Sequence, residues 1–141
     1  MLQEIKLAMY IEQYGEHWAD ELPENCPPED VCTAEGDVFY RFTKKIDCIV
    51  PEDWYNHLTL FPEREYSADR RILAAGLSLW NTEERILKEK KLPIFRKIKC
   101  DGLAKISLIP EDGVILQTTK EIHHHTWWRT TMCNLAKAES V

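Results

Sequence analysis

Residues 122–129 combine a two-residue period with large side chains on both faces, a pattern that predicts a β-strand. One face of such a strand would carry Ile122, His124, Thr126 and Trp128, and the other His123, His125, Trp127 and Arg129. An exposed strand with two tryptophans would form a sticky surface patch. We therefore expect this histidine strand to be buried or to line a cleft.

Apolar residues at helical spacing predict helices in the first two thirds of the chain. The first covers 2–18 and is acidic on its polar side, and a short one spans 51–58 behind a first-turn proline. Ser67 is a candidate N-cap for a third helix. Asn81 is expected to cap a fourth over 82–91, with acids in its first turn and lysines in its last.

The C-terminal third has the short apolar runs and turn residues that are typical of strands. Predicted strands there are 94–100, 103–109, 114–119 and the histidine strand, with further strands at 38–42 and 77–80. Asp101-Gly102 is a strong hairpin signal. The pattern predicts an α+β fold, in which a C-terminal antiparallel β-meander packs against two or three helices.

The acidic residues are concentrated at the front of the chain. Residues 1–37 contain ten acids and one base, whereas residues 38–141 contain fourteen acids and seventeen bases. We predict an acidic N-terminal helix and Pro-rich linker over 1–36, followed by an α+β core domain over 37–141. The front segment could fold over the basic remainder of the chain, be offered to a basic partner, or form a solvated face.

Composition excludes several classes of protein. A chain of 141 residues has the size of one domain, and no apolar run approaches the roughly 18 residues that span a bilayer. A net charge of −6 argues against general nucleic-acid binding. Five cysteines without Cys-x-x-Cys spacing, and the lack of a secretory signal, favour a reduced cytoplasmic protein without membrane contact.

Two His-x-Thr units, at 57–59 and 124–126, could together hold a phosphodiester. On strands, each unit would place an imidazole and a hydroxyl on one face, and the two histidines could then act as general base and general acid. The string His57-Leu58-Thr59-Leu60-Phe61 resembles the motif of the two-histidine phosphoesterases, and residues 124–126 resemble its second copy more loosely.

The resemblance implies metal-independent catalysis by His57, Thr59, His124 and Thr126. The chain departs from that family in two respects. Residues 54–58 have a helical pattern, and the sequence shows no duplicated halves.

Two further chemistries are compatible with the histidine strand. His123 and His125 would share a face and could form half of a zinc or copper site, which needs one or two more ligands from elsewhere in the fold. Alternatively, an anionic or nucleotide-like ligand could bind Arg41 and Arg129 together with a basic run over 88–99. Trp127 or Trp128 would then stack on its base.

The sequence contains no nucleophile elbow, Walker loop, dinucleotide glycine fingerprint or deaminase signature. We therefore expect a small intracellular binding or regulatory domain, with a polar cleft for a protein partner or a phosphate-bearing small ligand. The alternatives are the phosphoesterase and a His-ligated metal-binding protein. No cofactor is required by the first two functions, and zinc is the ion considered for the third.

Overall fold

Eight antiparallel strands form one curled sheet in the computed structural model, which describes residues 1–93 and 99–141. The strands are β1 (Gln3–Lys6), β2 (Asp30–Thr33), β3 (Asp37–Thr43), β4 (Leu77–Trp80), β5 (Gly102–Leu108), β6 (Gly113–Leu116), β7 (His124–Arg129) and β8 (Glu139–Ser140). The α-helices of the described residues are α1 (Leu7–Tyr14), α2 (His57–Leu60), α3 (Ala68–Ala74) and α4 (Glu83–Lys90). The chain is therefore a single small α+β domain, and none of these helices has the length and apolarity to cross a membrane.

The histidine strand is present as β7 and lies inside the sheet. The strand order is β1-β2-β6-β7-β4-β3-β5-β8, so that β7 pairs with β6 on one side and with β4 on the other. His125 stands opposite Leu79 of β4, and Trp127 stands opposite Ile115 of β6. The predicted strand over 122–129 is confirmed for residues 124–129, whereas Ile122, which is 63% exposed, and His123 precede it.

Neighbouring residues of β7 enter different hydrophobic cores because they point to opposite faces. Trp127 belongs to a core that also contains Ala34, Phe39, Trp54, Leu77, Leu79, Ile106, Leu108, Ile115 and Cys133. Trp128 belongs to a second core with Tyr10, Val31, Ala75 and Val114. A third cluster, formed by Trp80, Ile86 and Leu103, lies against α4.

Side-chain caps fix the starts of α3 and α4. Ser67 accepts a hydrogen bond from the Arg70 amide, as predicted, and α3 begins directly after it. Helix α4 is capped by Thr82, which accepts from the Arg85 amide, so the predicted cap at Asn81 is wrong by one residue. The Asn81 side chain instead pairs with His123.

The predicted helix over 2–18 is only partly formed. Residues Gln3–Lys6 are a strand paired with β2, and α1 begins only at Leu7. Pairing with a distant strand, reinforced by an ion pair between Lys6 and Asp30, outweighs a helical pattern that is short at this end. The Pro-rich linker predicted between this helix and residue 36 correspondingly contains strand β2.

The predicted C-terminal meander is present only in the pairing of β6 with β7, and the predicted pairing of β5 with β6 is wrong. Strand β5 pairs with β3 along seven residue positions and with β8, whereas β6 pairs with β2 and β7. A 3-10 turn at Pro110–Asp112 separates β5 from β6, and Asp112 accepts a hydrogen bond from the Ile109 amide within it. The predicted strand over 94–100 falls mostly on residues 94–98, which lie outside the described residues, as does part of the basic run over 88–99.

Residues on both sides of position 36 contribute to the same sheet. Strands β1 and β2 come from the N-terminal segment, and Tyr10 of α1 is fully buried with its hydroxyl donating to the Pro110 carbonyl at 2.6 Å. The division of the chain at residue 36 stays a prediction. The residues before position 36 make the contacts of a structural element of the sheet.

Replacing Tyr10 with alanine tests whether the N-terminal segment folds together with the rest. Because the side chain is 0% exposed, the free energy of unfolding in urea should fall by about 3–5 kcal/mol. Met9→Ala is the control, since Met9 is 57% exposed and should change stability by less than about 0.5 kcal/mol. A loss below about 1 kcal/mol for Tyr10→Ala would show instead that the segment is detachable.

Candidate functional site

Both tryptophans of β7 are buried, and their polar atoms are already bonded. Trp127 is 0% and Trp128 is 1% exposed. The indole N–H of Trp127 donates to the Asp112 carbonyl at 3.1 Å, and that of Trp128 donates to the Ile72 carbonyl at 3.0 Å. Neither ring face is available for stacking, so the structure does not support the predicted contact of Trp127 or Trp128 with a ligand.

His124 and Thr126 lie on the same face of β7 as Trp128, opposite to the face that carries Trp127, as predicted from the alternation. The His124 ring lies edge-on to Trp80 at 4.9 Å, and burial lowers its pKa, with smaller opposing effects of nearby charges. The Thr126 hydroxyl is 2.6 Å from that of Thr118. This hydroxyl therefore has a partner inside the protein.

The unit His57–Thr59 lies on a helix. Asn56 accepts a hydrogen bond from the Thr59 amide and thereby caps α2, which begins at His57. Both side chains are exposed. The condition that both His-x-Thr units lie on strands is not met for this one, because the Asn56 cap starts a helical turn here.

The surroundings of His57 and His124 are different. Burial and the positive charges of Arg41 and Arg64 lower the pKa of His57. The charged groups that act on His124 are His125, Glu89 and Glu121. The catalytic assignment of His57, Thr59, His124 and Thr126 stays a prediction, and the described contacts do not join its two halves.

His123 and His125 are held by separate contacts. Nδ1 of His123 is 2.8 Å from Oδ1 of Asn81. His125 is buried beside Phe39 at 5.7 Å, and its Nδ1 lacks a hydrogen bond of ordinary geometry, although the His123 carbonyl is close enough to affect its pKa. Over residues 1–93 and 99–141, no three His, Cys, Asp or Glu side chains are grouped as metal ligands. Zinc binding by this pair stays a prediction.

Arg129, at the end of β7, is partly exposed. Its backbone carbonyl accepts a hydrogen bond from the Ala19 amide, which ties the N-terminal segment to the strand. Its side-chain Nε is buried without a hydrogen-bond partner among the described residues. A role for Arg129 in ligand binding stays a prediction.

Arg41 of β3 has the most distinctive environment of the predicted site residues. Its Nε donates to the Asp53 carbonyl at 2.7 Å, and its Nη1 donates to the Ser78 carbonyl at 2.9 Å. Nη2 makes no hydrogen bond to the described residues. The guanidinium is therefore fixed by two neutral carbonyls.

None of the ion pairs formed within 1–93 and 99–141 includes Arg41. The nearest acid, Asp53, uses its carboxylate to accept from the Lys44 and Val50 amides at 2.8 Å each. Burial lowers the pKa of Arg41 to about 10, and the charge of Asp53 opposes this shift. Arg41 thus remains a cation at neutral pH.

Further groups surround Arg41. Its charge lowers the pKa of His57, and Arg64 acts on His57 in the same direction. Cys100 is also close to Arg41, but burial raises the pKa of its thiol, which therefore stays neutral at pH 7. We refer to Arg41, His57 and Arg64 as the cationic cluster. The local charge of this cluster favours an anion.

Two surface clefts lie elsewhere. The larger, about 500 Å³, is at the β1–β2 edge and includes Lys6, Asp30 and Cys32 in its lining. The smaller, about 360 Å³, is bordered by Leu2, Asp37, Val38, Phe39 and Asn81. Neither cleft is lined by the cationic cluster, so they give no support to a ligand site at Arg41.

Comparison of the chain with protein-family models, with curated proteins and with solved structures finds no match. A functional site in this chain is therefore inferred from the geometry and charge of its own residues.

Sequence reasoning singled out Arg41 and His57 for different roles and did not place them together. Arg64 was missed altogether. Its signal in the sequence is weak, since it is one of several charged residues around 63–71, and only the fold brings it near His57.

The histidines of β7 should make the protein less stable in mild acid. The pKa values of His124 and His125 are lowered by burial in the folded chain, while in the unfolded chain they are ordinary, at about 6.5. As the pH falls through about 6.5, the unfolded state binds more protons, so the free energy of unfolding should fall until the pH drops below the folded-state values.

Urea unfolding at several pH values from about 7.5 to 5.5 measures this effect. The double variant His124→Gln, His125→Gln should show a shallower fall of stability than the parent chain, whatever its stability at pH 7.5. An equal slope in both proteins would contradict the assignment of the effect to these two histidines.

Proposed function

We propose that the protein binds a small phosphate-bearing ligand, with the phosphate on the cationic cluster. One observation carries the proposal: the Arg41 guanidinium is held in place by two backbone carbonyls and has no carboxylate partner among the described residues. Nη2, which makes no hydrogen bond to the described residues, would donate to a ligand oxygen. We regard the protein as a binding or regulatory domain.

A buried charge is costly in free energy. A cation taken out of water normally needs a paired anion, because neutral hydrogen-bond acceptors compensate only part of the lost solvation. The lowered pKa of Arg41 reflects this cost. A bound phosphate would supply the missing negative charge, and arginine is suited to phosphate because its planar group can make paired hydrogen bonds.

His57 and Arg64 favour a doubly charged anion over a singly charged one. Both side chains are exposed and can move toward a ligand. The present pKa of His57 is lowered partly by its two cationic neighbours, and a phosphate dianion would offset that effect. Binding should therefore raise the pKa of His57 and bring it into contact with the ligand.

A cytoplasmic location is supported by the number and spacing of the cysteines. A protein partner would be compatible with the same exposed cations if it presented a phosphorylated side chain. The phosphoesterase and the metal-binding protein are the alternative functions.

Titration with inorganic phosphate and with ribose 5-phosphate, followed by NMR and calorimetry at pH 7.5, tests the proposal. Arg41→Gln should weaken binding by about tenfold to a hundredfold, the value of a charge-assisted hydrogen bond. Arg41→Lys should also bind more weakly, because an ammonium cannot bond both carbonyls and the ligand in the geometry of the guanidinium. The His57 ring signals should report a raised pKa on binding.

Arg70→Gln is the matched control, because Arg70 is an exposed arginine of α3. This variant should bind like the parent chain. The folding of each variant is checked by its amide NMR spectrum before titration. If phosphate leaves the His57 signals unchanged, or if folded Arg41→Lys binds as tightly as the parent, the proposed site is wrong.

A further inference from the structure

We infer that the ligand is a nucleoside phosphate whose base stacks on Phe61. This inference rests on the proposed function, because it places the phosphate of the same ligand on the cationic cluster. It adds a residue that none of the sequence motifs identified as a binding residue, and it defines the ligand class. The ring of Phe61 contacts two residues of the cationic cluster, and the backbone that carries it is hydrogen bonded.

Phe61 is the aromatic member of a row of three side chains. Its ring is 39% exposed. The guanidinium carbon of Arg64 lies 3.9 Å from the centre of the ring, over its face. The His57 ring lies 5.7 Å away and is nearly perpendicular. Two members of the cationic cluster thus contact the same exposed aromatic ring.

The backbone beneath this row is tightly hydrogen bonded. The Phe61 amide donates to the His57 carbonyl at 2.7 Å, and the Arg64 amide donates to the Phe61 carbonyl at 3.2 Å. The Tyr66 hydroxyl lies within 3.3 Å of the His57 carbonyl and 3.2 Å of the Phe61 carbonyl. Phe61 is therefore presented on an ordered turn, which lowers the entropy lost when a ligand stacks on it.

The same segment is anchored to the strand that fixes Arg41. Asn56 caps α2 and also donates to the Ala75 carbonyl at 2.9 Å, just before β4 begins. Arg41 donates to Ser78 within β4 and to Asp53 in the turn before Asn56. The hydrogen bonds of Arg41 and Asn56 thus connect the two ends of the 53–78 segment. The guanidinium and the aromatic row are therefore anchored to the same part of the sheet.

The cation–π contact of Arg64 with Phe61 shows that this ring face accepts a planar group. A nucleobase offers a flat π-surface of the same kind and gains more contact area than a guanidinium does. Stacking of the base would displace Arg64 from the ring, and the released guanidinium would lie beside the phosphate. Because stacking on an aromatic ring tolerates any base, we expect little preference among the four bases.

The experiment compares adenosine 5′-monophosphate with ribose 5-phosphate, which carries the same phosphate without a base. Calorimetry on the full chain should show that the nucleotide binds about tenfold more tightly. Phe61→Leu should reduce this ratio to near one, and Phe61→Trp should retain it. Tyr55→Leu is the control, since Tyr55 is equally exposed, at 39%, but lies outside the row.

The outcomes separate this inference from the proposed function. Equal affinity of the parent chain for the two ligands, or an undiminished ratio in folded Phe61→Leu, would overturn the stacking role while leaving phosphate binding at Arg41 intact. Failure of both ligands to bind would overturn the proposed function and this inference together. A ratio that also falls in Tyr55→Leu would assign the base to a different surface and reject Phe61.

Discussion

The structure depends on the burial of two adjacent tryptophans on opposite faces of one central strand. Trp127 and Trp128 enter different hydrophobic cores, and each indole donates to a backbone carbonyl of a neighbouring segment. Such pairs need a strand that has partners on both sides and covered surfaces on both faces. This requirement explains why β7 lies near the middle of the sheet rather than at its edge.

Glycines beside β7 make that packing achievable. A Cβ atom at Gly113 would lie 2.1 Å from the Trp128 carbonyl oxygen, and one at Gly76 would lie 2.4 Å from the Thr126 methyl group. Gly113 also has a φ of +132°, which other residues rarely adopt. The close approach of β6 and of the residue preceding β4 to the histidine strand therefore requires glycine at both positions.

The sheet also explains how the cationic cluster arises. Strand β4 pairs with β7 on one side and with β3 on the other, so the same strand that holds the histidine strand also offers its Ser78 carbonyl to Arg41. The segment between β3 and β4 supplies Asp53, the capped turn at Asn56 and the exposed aromatic row. A rigid sheet that carries a hydrogen-bonded connecting segment at one end is a common way to present a binding surface. The histidines of β7, by contrast, contact aromatic side chains, His125 beside Phe39 and His124 against Trp80.

Local patterns determined a substantial part of this protein. The two-residue period at 124–129, the Ser67 cap and the apolar run of β3 each specify an element through neighbouring residues alone, and each is present in the structure. Arg41 was identified as a ligand residue from its charge on a strand. That role remains a proposal, but its environment gives a physical reason for it.

Tertiary structure alone decided which strands pair and which polar residues meet. Residues Gln3–Lys6 fit a helix or a strand equally well, and the partner strand β2 selected the strand. The pairing of β5 with β3 depends on contacts between residues 59 to 71 positions apart, and short-range turn signals carry no information about them. For the same reason, the sequence could not show that His57 lies beside Arg41 and Arg64, since charge and burial at a site depend on the side chains that the fold brings together.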